Sequence, residues 1–201
     1  MARGHRGFAA VWSRQTAHES EAFQKLRKQV ASGATGRVLE VGVGVGSNWR
    51  FLPDGVDYVG IDPDEYMLER ARERANKETL HLTLEAFDVQ ALPFEDESFD
   101  SVITTLTFCS VPDAAKGLAE VRRVLKPGGE FRFWEHVRSE NHLYARLQSL
   151  AKPLTRLTAG GCEHNRDTLS AIRKAGFDVG PVERTRAMGM PMICGAARKP
   201  E

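Results

Sequence analysis

The sequence predicts an α/β fold: a doubly wound sheet of seven strands, mostly parallel, finished by a C-terminal antiparallel hairpin. Three observations predict it. From about residue 37 onward, short runs of apolar β-formers alternate with amphipathic stretches of helical period. The first run leads into a turn with glycine at every second position, VLEVGVGVGSNW. The last two runs are separated only by Gly189, Met190 and Pro191, too few residues for a parallel crossover, so they must pair antiparallel.

Each element follows from its local pattern. Phe23, Leu26 and Val30 share one face of a helix expected from Ser13 to Ala31, which Gly33 and Gly36 stop. RVLEVG (37–42) is short, apolar and bounded by glycines, hence a buried strand, and DYVGID (57–62) is a second. The following helix carries Met67, Leu68, Ala71 and Ala75 as a stripe, with Asp62 as a cap and Pro63 in the first turn. LTLEAF (82–87) and FDSVITTL (99–106) are strands three and four. A helix from Asp113 to Leu125 closes at Lys126-Pro127-Gly128-Gly129, and EFRFWEHV (130–137) is strand five. Residues 139–161 read as helix with a break at Lys152-Pro153, and RDTLSAIRKAGF (166–177) as a helix ended by Gly176. VERTRAM (182–188) and MICGAARK (192–199) form the hairpin.

Composition excludes several function classes. At 201 residues the chain fits one domain, 1–201, with 41% hydrophobic and 27% charged residues. A formal net charge of +1 gives no global field for nucleic acid or an anionic membrane. Arg3, Arg6, Arg14, Lys25, Arg27 and Lys28 make the first segment locally basic, and with acidic residues interspersed they read as a solvated helix face. No stretch has the roughly 20 apolar residues of a membrane span, nor is there a secretory apolar region. Cys109, Cys162 and Cys194 are odd in number and scattered, which fits reduced thiols in the cytoplasm. They lack CxxC or HxxxH spacing, and Cys162 with His164 gives two ligands without a third, so no metal is expected.

Ligands of such sheets bind beyond the carboxyl ends of the strands, beside the point where strand order reverses. The dinucleotide fingerprint needs a third glycine where this chain has Ser47, and no Lys-Ser/Thr follows to make a P-loop. Asp62, about twenty residues beyond the loop, stands where a carboxylate would hold a ribose diol. The loop therefore suits a nucleoside without a pyrophosphate, and an oxidoreductase using a nicotinamide cofactor is disfavoured.

Glu40-x-Gly42-x-Gly44-x-Gly46, Asp62, Asp88 after strand three, LPFEDESFDSVI and SVPDAAKGLAEVRRVLKPGG occur in order. Together they resemble the class I S-adenosylmethionine-dependent methyltransferases, in the small-molecule, type 11-like branch. TTLTFCSVPD, FWEHV and GGCEHNRDT are most similar to the alkyl thiol methyltransferases within it. The resemblance implies a Rossmann-like fold: a helical cap over 1–36, a cofactor core over 37–137, and 138–201 covering the substrate. It implies S-adenosylmethionine as cofactor, S-adenosylhomocysteine as product and a small-molecule methyl acceptor. Oligomeric state is not fixed.

By that resemblance Gly42, Gly44 and Gly46 line the methionine end, with Glu40 and Asn48 supporting the loop and the amino group. Asp62 takes the ribose hydroxyls, Pro63 and Met67 flank the adenine, and Asp88 with Val89 reads its amino edge. Thr105 and Leu106 floor the site near the sulfonium. His136, with Glu135 beside it, is the candidate base. Trp12, Phe108, Cys109, Trp134 and Cys162 are the candidate substrate contacts, and Tyr144 falls in the covering segment. A sulfonium methyl is already activated, so transfer needs alignment and desolvation more than covalent help. The first expectation is a thiol acceptor, because a thiol with a pKa near ~8.5 gains from a modest base. Quinone or phenol C/O-methylation and a non-catalytic cofactor-binding module stay open.

Overall fold

The computed structural model describes residues 6–77, 82–158, 160–187 and 189–201. Its seven strands are β1 (Arg37–Val41), β2 (Asp57–Ile61), β3 (Thr83–Glu85), β4 (Phe99–Thr105), β5 (Leu125–His136), β6 (Asp178–Ala187) and β7 (Met190–Arg198). They lie in the order β3-β2-β1-β4-β5-β7-β6. Neighbours from β3 through to β5 pair parallel, while β7 runs antiparallel to both β5 and β6. The order reverses between β1 and β4, and in such sheets ligands bind beyond the carboxyl ends at that point.

Six helices among the described residues cover the two faces: α1 (Arg6–Ala17), α2 (Glu21–Ala31), α3 (Glu65–Lys77), α4 (Ala114–Val124), α5 (His142–Thr158) and α6 (Thr168–Lys174). Alternate strand residues point to opposite faces and fill two cores. Leu39, Val41, Val59, Ile61, Val102, Phe131 and Phe133 pack with Leu118 and Val121 of α4 and Ile172 of α6. Val38, Tyr58, Ile103, Trp134 and Cys194 pack with Leu26 and Val30 of α2 and Leu68 and Ala71 of α3.

Three expectations are corrected. The single helix over 13–31 is two, α1 and α2, separated at His18-Glu19-Ser20, where Ser20 is extended. The glycine loop itself continues into one 3-10 turn, Trp49–Phe51. Strand β5 starts at Leu125, so the Lys126–Gly129 stretch lies inside it, with a register shift in its pairing to β4. Pro153 removes one backbone donor from α5 without ending it. Both hairpin strands also run longer than expected, and Met188 and Arg3 lie outside the described residues. None of the described helices is long and apolar enough to cross a membrane.

Candidate active site

The site begins where β1 ends. Gly42, Gly44 and Gly46 have φ of +72°, +55° and +77°, a left-handed backbone that glycine adopts without penalty. Their surroundings differ. A Cβ at Gly42 would lie 2.3 Å from Thr107 Oγ1, and one at Gly46 would lie 2.5 Å from the Trp49 ring. One at Gly44 would meet nothing nearer than Trp12 Nε1, at 3.8 Å. Gly42 and Gly46 are thus glycines for close packing, while a side chain at Gly44 would only touch the Trp12 ring, so its backbone is the one of the three left accessible to a ligand.

Asp62 closes that loop from the end of β2. Its Oδ2 accepts the Gly44 N–H at 3.0 Å and its Oδ1 the Asp64 N–H at 2.9 Å. The cap of α3 is Asp64, whose carboxylate accepts the Tyr66 N–H, so the cap role read for Asp62 belongs two residues on. Pro63 is exposed and precedes the helix. Burial pushes Asp62 up to about 6, against the two backbone donors. A carboxylate offers about four acceptor sites. With two spent on the loop, the remainder suit a ribose diol, and the accessible backbone of Gly44 beside them fits S-adenosylmethionine.

Beneath the loop lies a buried polar network. Glu40 Oε1 accepts from Asn48 Nδ2 at 2.8 Å and Oε2 from the Tyr58 hydroxyl at 2.5 Å. Asn48 also donates to Thr105 Oγ1 and accepts from Arg27, which reaches Thr105 as well. Glu19 holds Arg27 from the other side by two bonds of 2.6 and 2.7 Å. Burial outweighs the Tyr58 and Asn48 hydrogen bonds and pushes Glu40 up to about 7. Glu40, Asn48 and Thr105 therefore bond to one another in the layer that carries the loop. Arg27 is 3% exposed, which corrects the solvated-face reading. Its signal was in the helical spacing: positions 23, 26, 27 and 30 share one face.

The remaining cofactor candidates surround this layer. Met67 is buried with Ala9, Val45, Trp12 and Tyr66, so α1 packs Trp12 against α3 and the glycine loop. Trp12 thereby sits beside the glycine loop, with its Nε1 nearest to Gly44. Val89 is in the core, while Asp88 is exposed and accepts from the Gln90 side chain and N–H. Leu106 has φ of +60°, unusual for a branched side chain, and its N–H is held by Trp134 O at 2.8 Å.

At the ends of β4 and β5 the acceptor candidates separate into two groups. Phe108 and Trp134 are fully buried, Phe108 edge-on to Phe131 and Trp134 edge-on to Phe23 with Arg27 over its ring. Both rings are part of the core in this structure. Tyr144 donates to Gly189 O at 2.8 Å and ties α5 to the hairpin turn. Cys109, His136 and Cys162, in contrast, converge. Their ligand-type atoms all lie within 4.8 Å of one another, and Cys162 Sγ is 3.7 Å from His136 Nδ1. Folding thus brings together three residues that lie far apart in the sequence, and His164 is not part of the group.

Glu135 builds this end, a role its neighbour drew attention away from. Fully buried, it accepts the Thr107 and Phe108 N–H groups at 3.0 Å, that of Cys109 at 3.4 Å and the Thr104 hydroxyl at 3.2 Å. Burial pushes its carboxyl up despite those donors. Glu163 N–H bonds to Cys109 O at 2.7 Å and Arg166 bonds to Phe108 O, so the covering loop is pinned to the β4 turn. The Cys109 thiol donates to Leu106 O at 3.5 Å, with the Cys162 sulfur close by. The neighbouring Cys162 sulfur and burial push the Cys109 thiol up, and the Cys109 thiol beside it holds Cys162 down. Beside His136 lies a groove of about 240 Å³ lined by Val137, Arg138, Arg184, Thr185 and Met192.

Comparison with known proteins agrees with this geometry. The family described as methyltransferase domain matches residues 39–133. Thiol S-methyltransferase TMT1B of Rattus norvegicus is 33% identical over 174 residues, 84% of this chain and 71% of that protein. Thiol S-methyltransferase TMT1A of Homo sapiens is 34% identical over 179 residues, 85% and 72%. A ubiquinone/menaquinone biosynthesis C-methyltransferase, UbiE of Geobacter sulfurreducens, is 35% identical over 120 residues, 57% and 47%. Among solved structures, a SAM-dependent methyltransferase from Aquifex aeolicus superposes with a TM-score of 0.67 at 19% identity, covering 98% of this chain and 99% of that one. The [4+2]-cyclase SpnF does so with 0.71 at 19%, covering 89% and 80%. At such identities the structures establish the fold alone, and the sequence relatives establish the family. The chain is an S-adenosylmethionine-dependent methyltransferase and belongs to the family that includes the thiol S-methyltransferases.

Proposed function

We propose that the enzyme transfers the cofactor's methyl group to the sulfur of a small, apolar thiol. The observation that carries this reading is the convergence of Cys109, His136 and Cys162 at the carboxyl ends of β4 and β5. The names of the relatives at 33–34% identity support it. Bound S-adenosylmethionine supplies the activated methyl. Gly42, Gly44 and Gly46 let backbone approach its methionine part, Asp62 accepts its ribose hydroxyls, and Pro63, Met67, Asp88 and Val89 surround the adenine. Thr105 and the strained Leu106 floor the site, and Trp12 closes over the loop. His136 takes the thiol proton as the sulfur attacks, with soft Cys109 and Cys162 around it. The three described cysteines are free, which suits a reducing compartment such as the cytoplasm.

The test is a panel of thiols, phenols, quinones and amines, following S-adenosylhomocysteine release and the mass of the methylated product. Transfer to thiols is expected. Activity confined to phenols or quinones would overturn the reading. His136→Gln should lower the rate most where the thiol is still protonated and approach wild type at alkaline pH. A rate that falls by the same factor at every pH removes it as the base.

A further inference from the structure

Cys109, His136 and Cys162 come from three separate segments, and no single one of them would form a site. Together they have the composition and spacing of a ligand set for a soft cation. Zinc takes thiolate at about 2.3 Å and imidazole at about 2.0–2.1 Å, so a tetrahedral sulfur–nitrogen edge spans about 3.6 Å. The Cys162 Sγ to His136 Nδ1 distance is 3.7 Å. The full set fits within 4.8 Å. Three protein ligands are the count of a catalytic site, which keeps a fourth position for water or substrate, whereas structural sites close with four.

The surroundings hold each ligand in place. Glu135 grips the backbone of Thr107, Phe108 and Cys109. Thr155 Oγ1 donates to Cys162 O at 3.0 Å, and Thr168 Oγ1 to His136 O at 3.2 Å. Cys109 is 1% exposed and Cys162 8%. Two thiolates in such a place cannot both ionise alone, but with a divalent cation and a neutral imidazole the charges sum to zero.

We propose that Cys109, His136 and Cys162 form a Cys2His site for a soft divalent cation of the zinc class, whose open fourth position takes the acceptor thiol as its thiolate. The second half rests on the thiol reading above. Coordination removes the acceptor's S–H proton to solvent. The sulfur lone pair then forms the new S–CH3 bond while the C–S bond of the sulfonium breaks. That electron pair goes to the departing sulfur and neutralises S-adenosylhomocysteine. The thioether product carries no charge and binds the cation weakly, so it leaves. With the cation bound His136 is a ligand; without it His136 takes the proton itself.

The experiment uses the full chain, reduced and stripped with a chelator. Zn2+ is titrated against a chromophoric zinc indicator, and Co2+ is added to a second sample to read the thiolate-to-cobalt charge-transfer band. One cation per chain and that band are expected. Cys109→Ser and Cys162→Ser should each weaken affinity by more than the roughly 10–100-fold that loss of an outer-sphere partner costs. S-adenosylmethionine affinity should be unchanged in both variants, which shows that they fold. One equivalent of Zn2+ should move the alkaline rise of thiol methylation to lower pH. Thiol methylation by a chain that takes up no cation overturns the site and leaves the thiol acceptor standing. Loss of two thiols to a Cys109–Cys162 disulfide in air, with no cation bound by the reduced chain, also overturns it. Cation uptake with only phenols methylated overturns the thiolate role together with the function beneath it.

Discussion

Protonation of Asp62 should be coupled to cofactor binding. Burial puts its pKa at about 6, and the neighbouring Asp64 carboxylate adds to the rise. Glu40, at about 7, titrates in the same range and feels the Asp62 charge. Ribose hydroxyls donate hydrogen bonds and so favour the ionised carboxylate. At about pH 5 only about a tenth of the free enzyme has Asp62 ionised, which costs about 1.4 kcal/mol, or tenfold in affinity, against about pH 7. The stability of the cofactor-free enzyme should run the other way. A carboxyl whose folded pKa lies above its unfolded value of 3.8 contributes fully below that value and loses its contribution as pH rises through about 6. The swing is on the order of 3 kcal/mol at most.

Titration calorimetry and thermal melts, each across that range, check both halves. S-adenosylmethionine should bind more tightly as pH rises, with protons released near pH 6, and its stabilising shift of the melt should grow in step. Asp62→Asn should bind the cofactor more weakly at neutral pH by about 1–3 kcal/mol, because a charge-assisted acceptor is lost. It should also flatten the pH dependence, leaving only the share that Glu40 supplies. A wild-type affinity that stays level from acid to neutral pH would refute the reasoning, as would an Asp62→Asn variant that keeps the full slope.

Gly44→Ala should reduce cofactor affinity more than it reduces the melting temperature. The left-handed backbone costs an alanine about 1–2 kcal/mol, and the added methyl enters the ligand's side. Equal losses in calorimetry and in denaturation would show that Gly44 faces only protein. Gly42→Ala should instead unfold the chain readily, since its Cβ meets Thr107. Arg27→Met should destabilise by about 3–5 kcal/mol in urea titration, because it strands the buried Glu19 carboxylate. Glu135→Ala leaves the Thr107, Phe108 and Cys109 N–H groups unpaired, at about 1–3 kcal/mol each, and should slow thiol turnover while sparing cofactor affinity.

The parts of the fold that were legible are those a local pattern dictates. β1 and β2 are apolar runs with glycine at their ends, and the three-residue connection admits only a hairpin. The cofactor end was legible for the same reason: Gly42 to Gly46 and Asp62 lie on one β–turn–β unit, so spacing stands in for distance. The acceptor end was not. Cys109, His136 and Cys162 are 27 and 26 residues apart and reach one another only because β4 and β5 are neighbours and Glu163 ties the covering loop to Cys109. The split between α1 and α2 was hidden because Glu19 has a partner, Arg27, that helical periodicity along one continuous helix does not require.

Three charged residues of this framework have something in common. Arg27, Glu40 and Glu135 are charged residues inside apolar patterns, in AFQKLRKQV, RVLEV and FRFWEHV. Reading charge as surface sends Arg27 outward and makes Glu135 a mere neighbour of His136. Yet a charge on a buried face costs several kcal/mol unless it is fully bonded. All three are fully bonded here: Glu40 beneath the glycine loop, Arg27 across Asn48 and Thr105, Glu135 under the Cys109 turn. Each carries a loop at the carboxyl edge of the sheet, which is where the cofactor and acceptor must meet. A buried charge interrupting an apolar run therefore located the framework of this site more closely than its aromatic residues did, because Phe108 and Trp134 could be accommodated by the core and these charges could not.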